Sequence, residues 1–250
     1  MKNSESSDLH KLLSAFPNPD VEWLDELTLR CGAVDVRLTR GFDVEQSTDS
    51  VITLFKHPQF VRSYLQLLSG FSVKNMVEVG IWDGGSAVFF WNLLKPSKLC
   101  CIELKDSAPH LRHYIEEQKL TELFPLHLGV DQSNKPRLRS ILAAEFEHED
   151  LDLVIDDASH LYSPSRATFE VLFPHMRRGG LYILQHWKTT LLLPNQRGKE
   201  APDHPPFHQL GHEILDLSMR VPDVIPSVKC FHTFVVVERG PKFLDSHSFD

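Results

Sequence analysis

Two adjacent acids, Asp156 and Asp157, close the apolar run Leu153-Val154-Ile155, and Ser159-His160 follows at once. Carboxylates side by side at a buried strand end repel each other unless a donor or ligand stands nearby, so the pair points to a binding or proton-handling site. A later apolar run, residues 181–184, delivers Gln185-His186-Trp187. An imidazole there titrates near neutral pH and can exchange protons, although a strand-end histidine can also do no more than line a pocket.

Upstream, Val77-Glu78-Val79-Gly80-Ile81-Trp82-Asp83-Gly84-Gly85-Ser86 reads as an apolar strand carrying one acid that runs into a glycine turn, with an apolar helix over residues 87–94. Glycines at 80, 84 and 85 would let backbone approach a ligand closely, and the helix start would offer N–H groups to its polar atoms. Tight turns also use glycine for steric reasons alone. About twenty residues on, Lys98-Leu99-Cys100-Cys101-Ile102-Glu103 is a second buried strand ending in a carboxylate, the spacing at which doubly wound folds set an acid against a ribose diol. Dinucleotide sites want G-x-G-x-x-G, whereas here three non-glycines separate Gly80 from Gly84. An adenosine ligand without a pyrophosphate fits this turn better than a dinucleotide, which disfavours a dehydrogenase.

The elements that must position these residues alternate from about residue 73 onward. Helices are expected over 108–119, 137–147 and 165–176, the last closed by Arg177, Arg178 and Gly179-Gly180 as a basic final turn and glycine stop. Strands are expected over 124–128, 151–157 and 181–184. This rhythm makes a mostly parallel sheet covered on both faces, with ligands outside the carboxyl ends of its strands. The exception is Val228-Lys229-Cys230-Phe231 and Phe234-Val235-Val236-Val237-Glu238, which only His232 and Thr233 separate. That is too little chain for a parallel crossover, so the two should pair as an antiparallel hairpin. Before residue 73 the chain has helical spacing over 21–31, a polar loop over 40–50, and a second helix over 58–68 with Pro58 near its start. Residues 1–72 are therefore expected to form a helical cap region, 73–240 the ligand-binding domain, and 241–250 a tail.

A parallel sheet finished by such a hairpin, with an acid-bearing glycine turn, resembles the class I S-adenosylmethionine-dependent methyltransferases. Over roughly residues 55–240 the chain is most similar to the macrocin O-methyltransferase family of sugar and natural-product enzymes. The pieces that carry the likeness are residues 77–86, Gly129-Val130-Asp131-Gln132-Ser133, Ile155-Asp156-Asp157-Ala158-Ser159-His160, the stretch from Leu172-Phe173-Pro174 to Gly179-Gly180-Leu181-Tyr182, and Val235-Val236-Val237-Glu238-Arg239-Gly240.

The resemblance implies a Rossmann-like α/β fold, a doubly wound, mostly parallel seven-stranded sheet. It implies S-adenosyl-L-methionine as cofactor and methyl transfer to a small-molecule hydroxyl. Glu78, Gly80, Gly84, Gly85 and Ser86 would contact the cofactor, the glycines and Ser86 around its methionine part. Glu103 would hold the ribose, Asp131 and Gln132 would border the adenine, and Asp156 would face the amino end. Asp157 would help bind a divalent metal, and His160 would be the general base. One departure stands out. Where the family ends its fifth strand in Glu-Asp, this chain has Gln185-His186, which removes two negative charges from an oxygen-rich site. Magnesium should then bind much more weakly, if at all. Two arrangements remain: a metal-free enzyme with His160 or His186 as base, the favoured one, or an altered site in which Asp157 and His186 hold a softer ion.

Composition sets outer bounds. With 250 residues, 42% of them hydrophobic, the chain can bury one sizeable core. A net charge of -8 without a basic block argues against a nucleic-acid groove. No apolar run reaches the ~20 residues needed to cross a bilayer, which suits a cytoplasmic protein without a membrane partner. Cys31, Cys100, Cys101 and Cys230 are scattered and suit reduced small hydrophobes. The proline-rich stretch 188–209 should be a lid or substrate-recognition loop. Trp82, Trp187 and Phe207 are candidate apolar walls, and the N-terminal helices could meet a second subunit in a homo-oligomer. His204, His208, His212 and Glu213 depart from the H-E-x-x-H order of zinc enzymes. A noncatalytic cofactor-binding partner and a nitrogen acceptor stay open as alternatives.

Overall fold

The computed structural model of the protein describes residues 11–39, 44–147, 150–187 and 205–244. Two compact units emerge: residues up to 74 with 81–99 and 105–126, and residues 75–80 with 100–104 and 127 onward.

The first unit holds β1 (Val21–Trp23), β2 (Thr28–Cys31), β3 (Val34–Leu38) and β4 (Val51–Leu54), paired in that order, with β3 and β4 parallel. The helix expected over 21–31 is instead β1 and β2, two antiparallel strands. Its apolar spacing fits either period, and Gly32-Ala33 decides the matter: Cys31 pairs with Val34 across them, with Gly32 at φ 59. A two-residue turn with a left-handed glycine is a hairpin signal. Burial then alternates along β3, as a strand with one covered face requires. The residues expected to form a helical cap thus hold a small sheet plus α1 (Pro58–Leu68), which starts at its proline as expected.

Helix α2 (Gly85–Leu94) is buried almost all round, with Phe89, Phe90 and Leu93 at most 1% exposed. Each such side chain contributes about 1.5–3 kcal/mol by leaving water. Tyr64 of α1 meets Phe90 edge-on at 5.0 Å, and Asn92 donates to the Tyr114 hydroxyl of α3 (Pro109–Glu117) at 2.9 Å.

The second unit is built on a seven-stranded sheet ordered β10-β11-β9-β8-β5-β6-β7, from β5 (Asn75–Val79), β6 (Lys98–Ile102), β7 (Leu126–His127), β8 (Leu151–Asp156), β9 (Met176–Gln185), β10 (Val228–Cys230) and β11 (Phe234–Glu238). β5, β8 and β9 are parallel neighbours, and β11 and β10 close that edge as the expected antiparallel hairpin. This is the mostly parallel α/β sheet that the strand–helix rhythm predicts. Helices α4 (Lys135–Phe146), α5 (Tyr162–Leu172) and α6 (His208–Arg220) supply Leu138, Phe169 and Ile214 to its main core.

The helix expected over 165–176 ends at Leu172. Pro174 turns the chain through a short 3-10 segment, Phe173–His175, and β9 starts at Met176. Gly179-Gly180 is therefore no helix stop. It lies where the β8–β9 register shifts, and a Cβ on Gly180 would sit 3.1 Å from Leu151 O and 3.2 Å from Asp152 O, so the glycine permits a β-bulge. Arg177, expected in a helix's last turn, pairs with Asp152.

Cys31, Cys100, Cys101 and Cys230 are all free thiols. Among the described residues no helix is long and apolar enough to cross a membrane. The lid expected over 188–209 falls on residues 188–204, outside the described residues, except for its end, where α6 already begins at His208. His204 and most of the 241–250 tail are also outside them.

Candidate active site

From β5 the chain moves outward to β6 and β7, then returns to form β8 on the other side of β5. That reversal makes the carboxyl ends of β5 and β8 a topological switch point, where open α/β sheets bind ligands. The two ends are tied there, since Asp157 N–H donates to Val79 O at 2.8 Å. Gly80, at φ 82, also lies against the second chain end: a Cβ on it would stand 2.5 Å from Ala158 Cα and 2.6 Å from Asp157 O. The glycine is needed for one turn to pass the other, whatever ligand lies above.

Three predicted residues converge just beyond β8 and β9. The Nε2 atoms of His160 and His186 stand 3.2 and 3.5 Å from the same oxygen, Asp157 Oδ1. The two rings are 4.6 Å apart at an interplanar angle of 61°, and the Phe207 ring lies 6.1 Å from that of His160. Both histidines have left-handed backbones, φ 55 and φ 56. Such strain costs on the order of 1 kcal/mol per residue and persists only where surroundings impose it. His186 N–H donates to Thr233 O at 2.7 Å, so the hairpin edge fixes that residue.

Asp156 and Gln132 form a separate buried layer beneath the turn. Gln132 Nε2 donates to Asp156 Oδ1 at 3.3 Å and to Thr168 Oγ1 at 2.9 Å, while its Oε1 accepts Ser159 N–H at 2.7 Å. Tyr182 donates its hydroxyl to Asp156 Oδ2 at 3.1 Å. Burial pushes the Asp156 carboxyl up to about 6, with Asp157 adding to the rise, against the Ala158 N–H, the Tyr182 hydroxyl and His160. Every polar atom of Gln132 and Asp156 is thus engaged inside the protein. Sequence reasoning assigns no role to Tyr182 or Thr168, which hold this layer. Tyr182 could have been found from strand alternation, because it faces Val154, two residues before Asp156 on β8.

Glu78 is fully buried within β5, and Glu103 is 8% exposed just past β6, its N–H bonded to His127 O at 2.9 Å. Asp131 is exposed, and its Oδ1 accepts both the N–H and the hydroxyl of Ser133 at 2.7 Å, an Asx turn. In the first unit, Gly84 caps α2 at φ 95 with no side-chain cap bond among the described residues, and Ser86 is buried in its first turn. A Cβ on Gly84 would meet Leu111 Cβ at 2.7 Å, and one on Gly85 would meet Thr53 O at 2.5 Å. The room left by these glycines is filled by protein, the steric use of glycine that the sequence also allowed.

Trp82 packs against Phe55 at 5.8 Å, and Phe207 is 1% exposed. On α6, Glu213 accepts from the Tyr162 hydroxyl at 2.8 Å, and His212 meets Trp187 edge-on at 6.2 Å. Among the described residues, the metal-ligating side chains that come together are Asp157, His160 and His186, not the 208–213 set.

Residues 77–186 match the family described as a methyltransferase domain. The chain carries a methyltransferase domain. Demethylmacrocin O-methyltransferase of Streptomyces fradiae is 30% identical over 188 residues, 66% of this chain and 44% of the relative. An 8-demethyl-8-(2-methoxy-alpha-L-rhamnosyl)-tetracenomycin-C 3'-O-methyltransferase of Streptomyces olivaceus is 44% identical over 83 residues, 30% of this chain and 21% of the relative. MycE, a methyltransferase of the mycinamycin biosynthetic pathway solved with Mg and SAH, superposes with a TM-score of 0.57 at 22% identity, covering 75% of this chain and 51% of MycE. The chain thus spans less than half the length of these curated relatives, and the likeness to MycE establishes the methyltransferase fold.

Magnesium fits this domain poorly. It takes near-octahedral oxygen ligands, and the converging donors are one carboxylate and two imidazoles. An adenosyl cofactor fits better, because Glu103 ends β6 as a buried carboxylate of the kind that holds a ribose diol.

Proposed function

We propose that this protein methylates a hydroxyl of a small molecule, a sugar or glycosylated natural product, using S-adenosyl-L-methionine. The observation that carries the proposal is the 3.2 Å approach of His160 Nε2 to Asp157 Oδ1 at the end of β8. Asp157 accepts the Nε2 hydrogen and so fixes both tautomer and ring orientation, leaving Nδ1 with its lone pair. The bound cofactor supplies a methyl group on a positively charged sulfur that departs as a neutral thioether. His160 Nδ1 would take the proton that the acceptor hydroxyl gives up as its oxygen gains the methyl group. A positioned base of this kind contributes about 10²–10⁴-fold. His186 lies close enough to share the carboxylate and is the second candidate base. No step here runs through magnesium.

Oxygen as acceptor and a sugar as its carrier are supported by the names of the relatives, one of them specifying a rhamnosyl group and a 3'-O position. Incubation with cofactor and a panel of rhamnosylated and other glycosylated natural products, read by mass spectrometry, should give a product heavier by one methylene. His160→Ala should slow that reaction by about 10²–10⁴-fold. Uptake of S-adenosylhomocysteine in calorimetry, with no acceptor methylated by either protein, would favour the noncatalytic partner instead.

A further inference from the structure

We infer that Asp157, His160 and His186 form a binding site for one borderline divalent transition-metal ion of the zinc type, and that the ion, when bound, removes both imidazoles from proton transfer. The three side chains offer one ligand atom each, all within 4.8 Å of one another. Two edges of that triangle, from Asp157 Oδ1 to the Nε2 atoms of His160 and His186, measure 3.2 and 3.5 Å. Bonds of ~2.0–2.1 Å in a tetrahedral sphere place neighbouring ligands about 3.3 Å apart, so small movements would seat an ion. Two imidazoles and one carboxylate are donors for zinc, cobalt, nickel or iron, and they discriminate against magnesium.

Positions of the ligands are set by the backbone. Asp157 directly follows β8 and His186 directly follows β9, strands locked in parallel register with Asp156 opposite Leu184. His186 is anchored to Thr233 O at 2.7 Å, and the turn bearing His160 is anchored by Ser159 N–H on Gln132 at 2.7 Å. The side chains of Asp157, His160 and His186 are half-buried, so an ion can enter from solvent. Three protein ligands leave a fourth position open.

The metal-binding claim stands alone, whereas its consequence for turnover rests on His160 being the base. An ion on His160 Nε2 leaves the neutral ring's hydrogen on Nδ1, the nitrogen that must otherwise accept the acceptor's proton. Zinc should therefore inhibit methyl transfer, and magnesium should not.

The test uses the full chain, stripped with a chelator and dialysed, then titrated with cobalt(II). Visible absorption should saturate at one cobalt per chain, be abolished by stoichiometric zinc and persist in millimolar magnesium. His186→Ala and Asp157→Asn should each weaken cobalt binding more than about tenfold, the scale on which even outer-shell changes act, and His175→Ala should leave it unchanged. Absence of a saturable signal in the unaltered protein would overturn the site, as would full-strength binding by folded His186→Ala. Should a variant fail to fold by circular dichroism, the zinc–magnesium contrast in the unaltered protein still decides. S-adenosylhomocysteine binding is measured separately on the same metal-free sample, so a failed methyltransferase assignment shows as lost cofactor uptake while the cobalt result stands. Methyl transfer accelerated by zinc would overturn the inhibitory consequence alone.

Discussion

Gln132 Oε1 accepts the backbone N–H of Ser159 at 2.7 Å, one residue before His160. A side chain on the loop after β7 thus sets the turn that presents the candidate base. Its Nε2 reaches down to Asp156 and Thr168 in the same buried layer. Gln132→Ala leaves Ser159 N–H without its partner, a loss costing about 1–3 kcal/mol, and takes one hydrogen bond each from Asp156 and Thr168. Thermal melting should drop accordingly. Where glycosylated acceptors are turned over, kcat should fall with little change in KM, which a purely structural loss would not select.

Asp156 carries a stability signature that depends on pH. Its carboxyl is raised to about 6 in the folded chain, chiefly by burial, from the ordinary aspartate value near 3.8. The folded state therefore holds the proton more tightly than the unfolded one. The stability this gives is complete below pH ~4 and is lost as pH rises through about 6. Asp156→Asn mimics the protonated form and keeps an oxygen for Gln132 and Ala158. At pH 8 it should be more stable than the unaltered protein by roughly 2–3 kcal/mol, the difference vanishing near pH 4. Equal denaturant midpoints at pH 8 would refute the assignment.

Gly80 and Gly70 separate two reasons for a glycine. Both have left-handed backbones, φ 82 and φ 73, but a Cβ on Gly80 meets Ala158 Cα at 2.5 Å, whereas one on Gly70 meets nothing within 4 Å. Gly70→Ala should cost about 1 kcal/mol from backbone strain alone. Gly80→Ala adds overpacking against the turn after β8 and should cost more than about 2 kcal/mol. Urea unfolding of both variants checks the ordering.

Removal of divalent ions by a chelator should leave methyl transfer intact or raise it, and added magnesium should change nothing. Complete loss on chelation, restored by a single ion, would replace the His160 base by metal-assisted deprotonation.

The sheet of the second unit was legible because its runs are short, apolar and separated by helices of fitting length, and because His232-Thr233 permits only a hairpin. The β1–β2 pair was not, since apolar residues over 21–31 satisfy a helical spacing as well as an alternating one until Gly32-Ala33 is weighed. Gly179-Gly180 misled for a related reason: a glycine pair after two arginines ends a helix or bulges a strand equally well, and Pro174 had already stopped the helix. Within the site, the convergence of Asp157, His160 and His186 follows from strand ends at a switch point, which a sequence can show. The use of Gln132 and Asp156 on each other cannot be seen that way, because it depends on which of several polar neighbours, 24 residues apart in this pair, share one buried layer.

β11 lies between β9 and β10 in the sheet, and its turn supplies the carbonyl that holds His186. A ribosome that has finished β9 has therefore not yet made the strand on which that histidine depends. The nascent polypeptide can assemble its parallel strands early, but the second imidazole is fixed only after residues 233 and beyond leave the exit tunnel. The placement of His186, unlike that of His160, is in this way completed only with the hairpin.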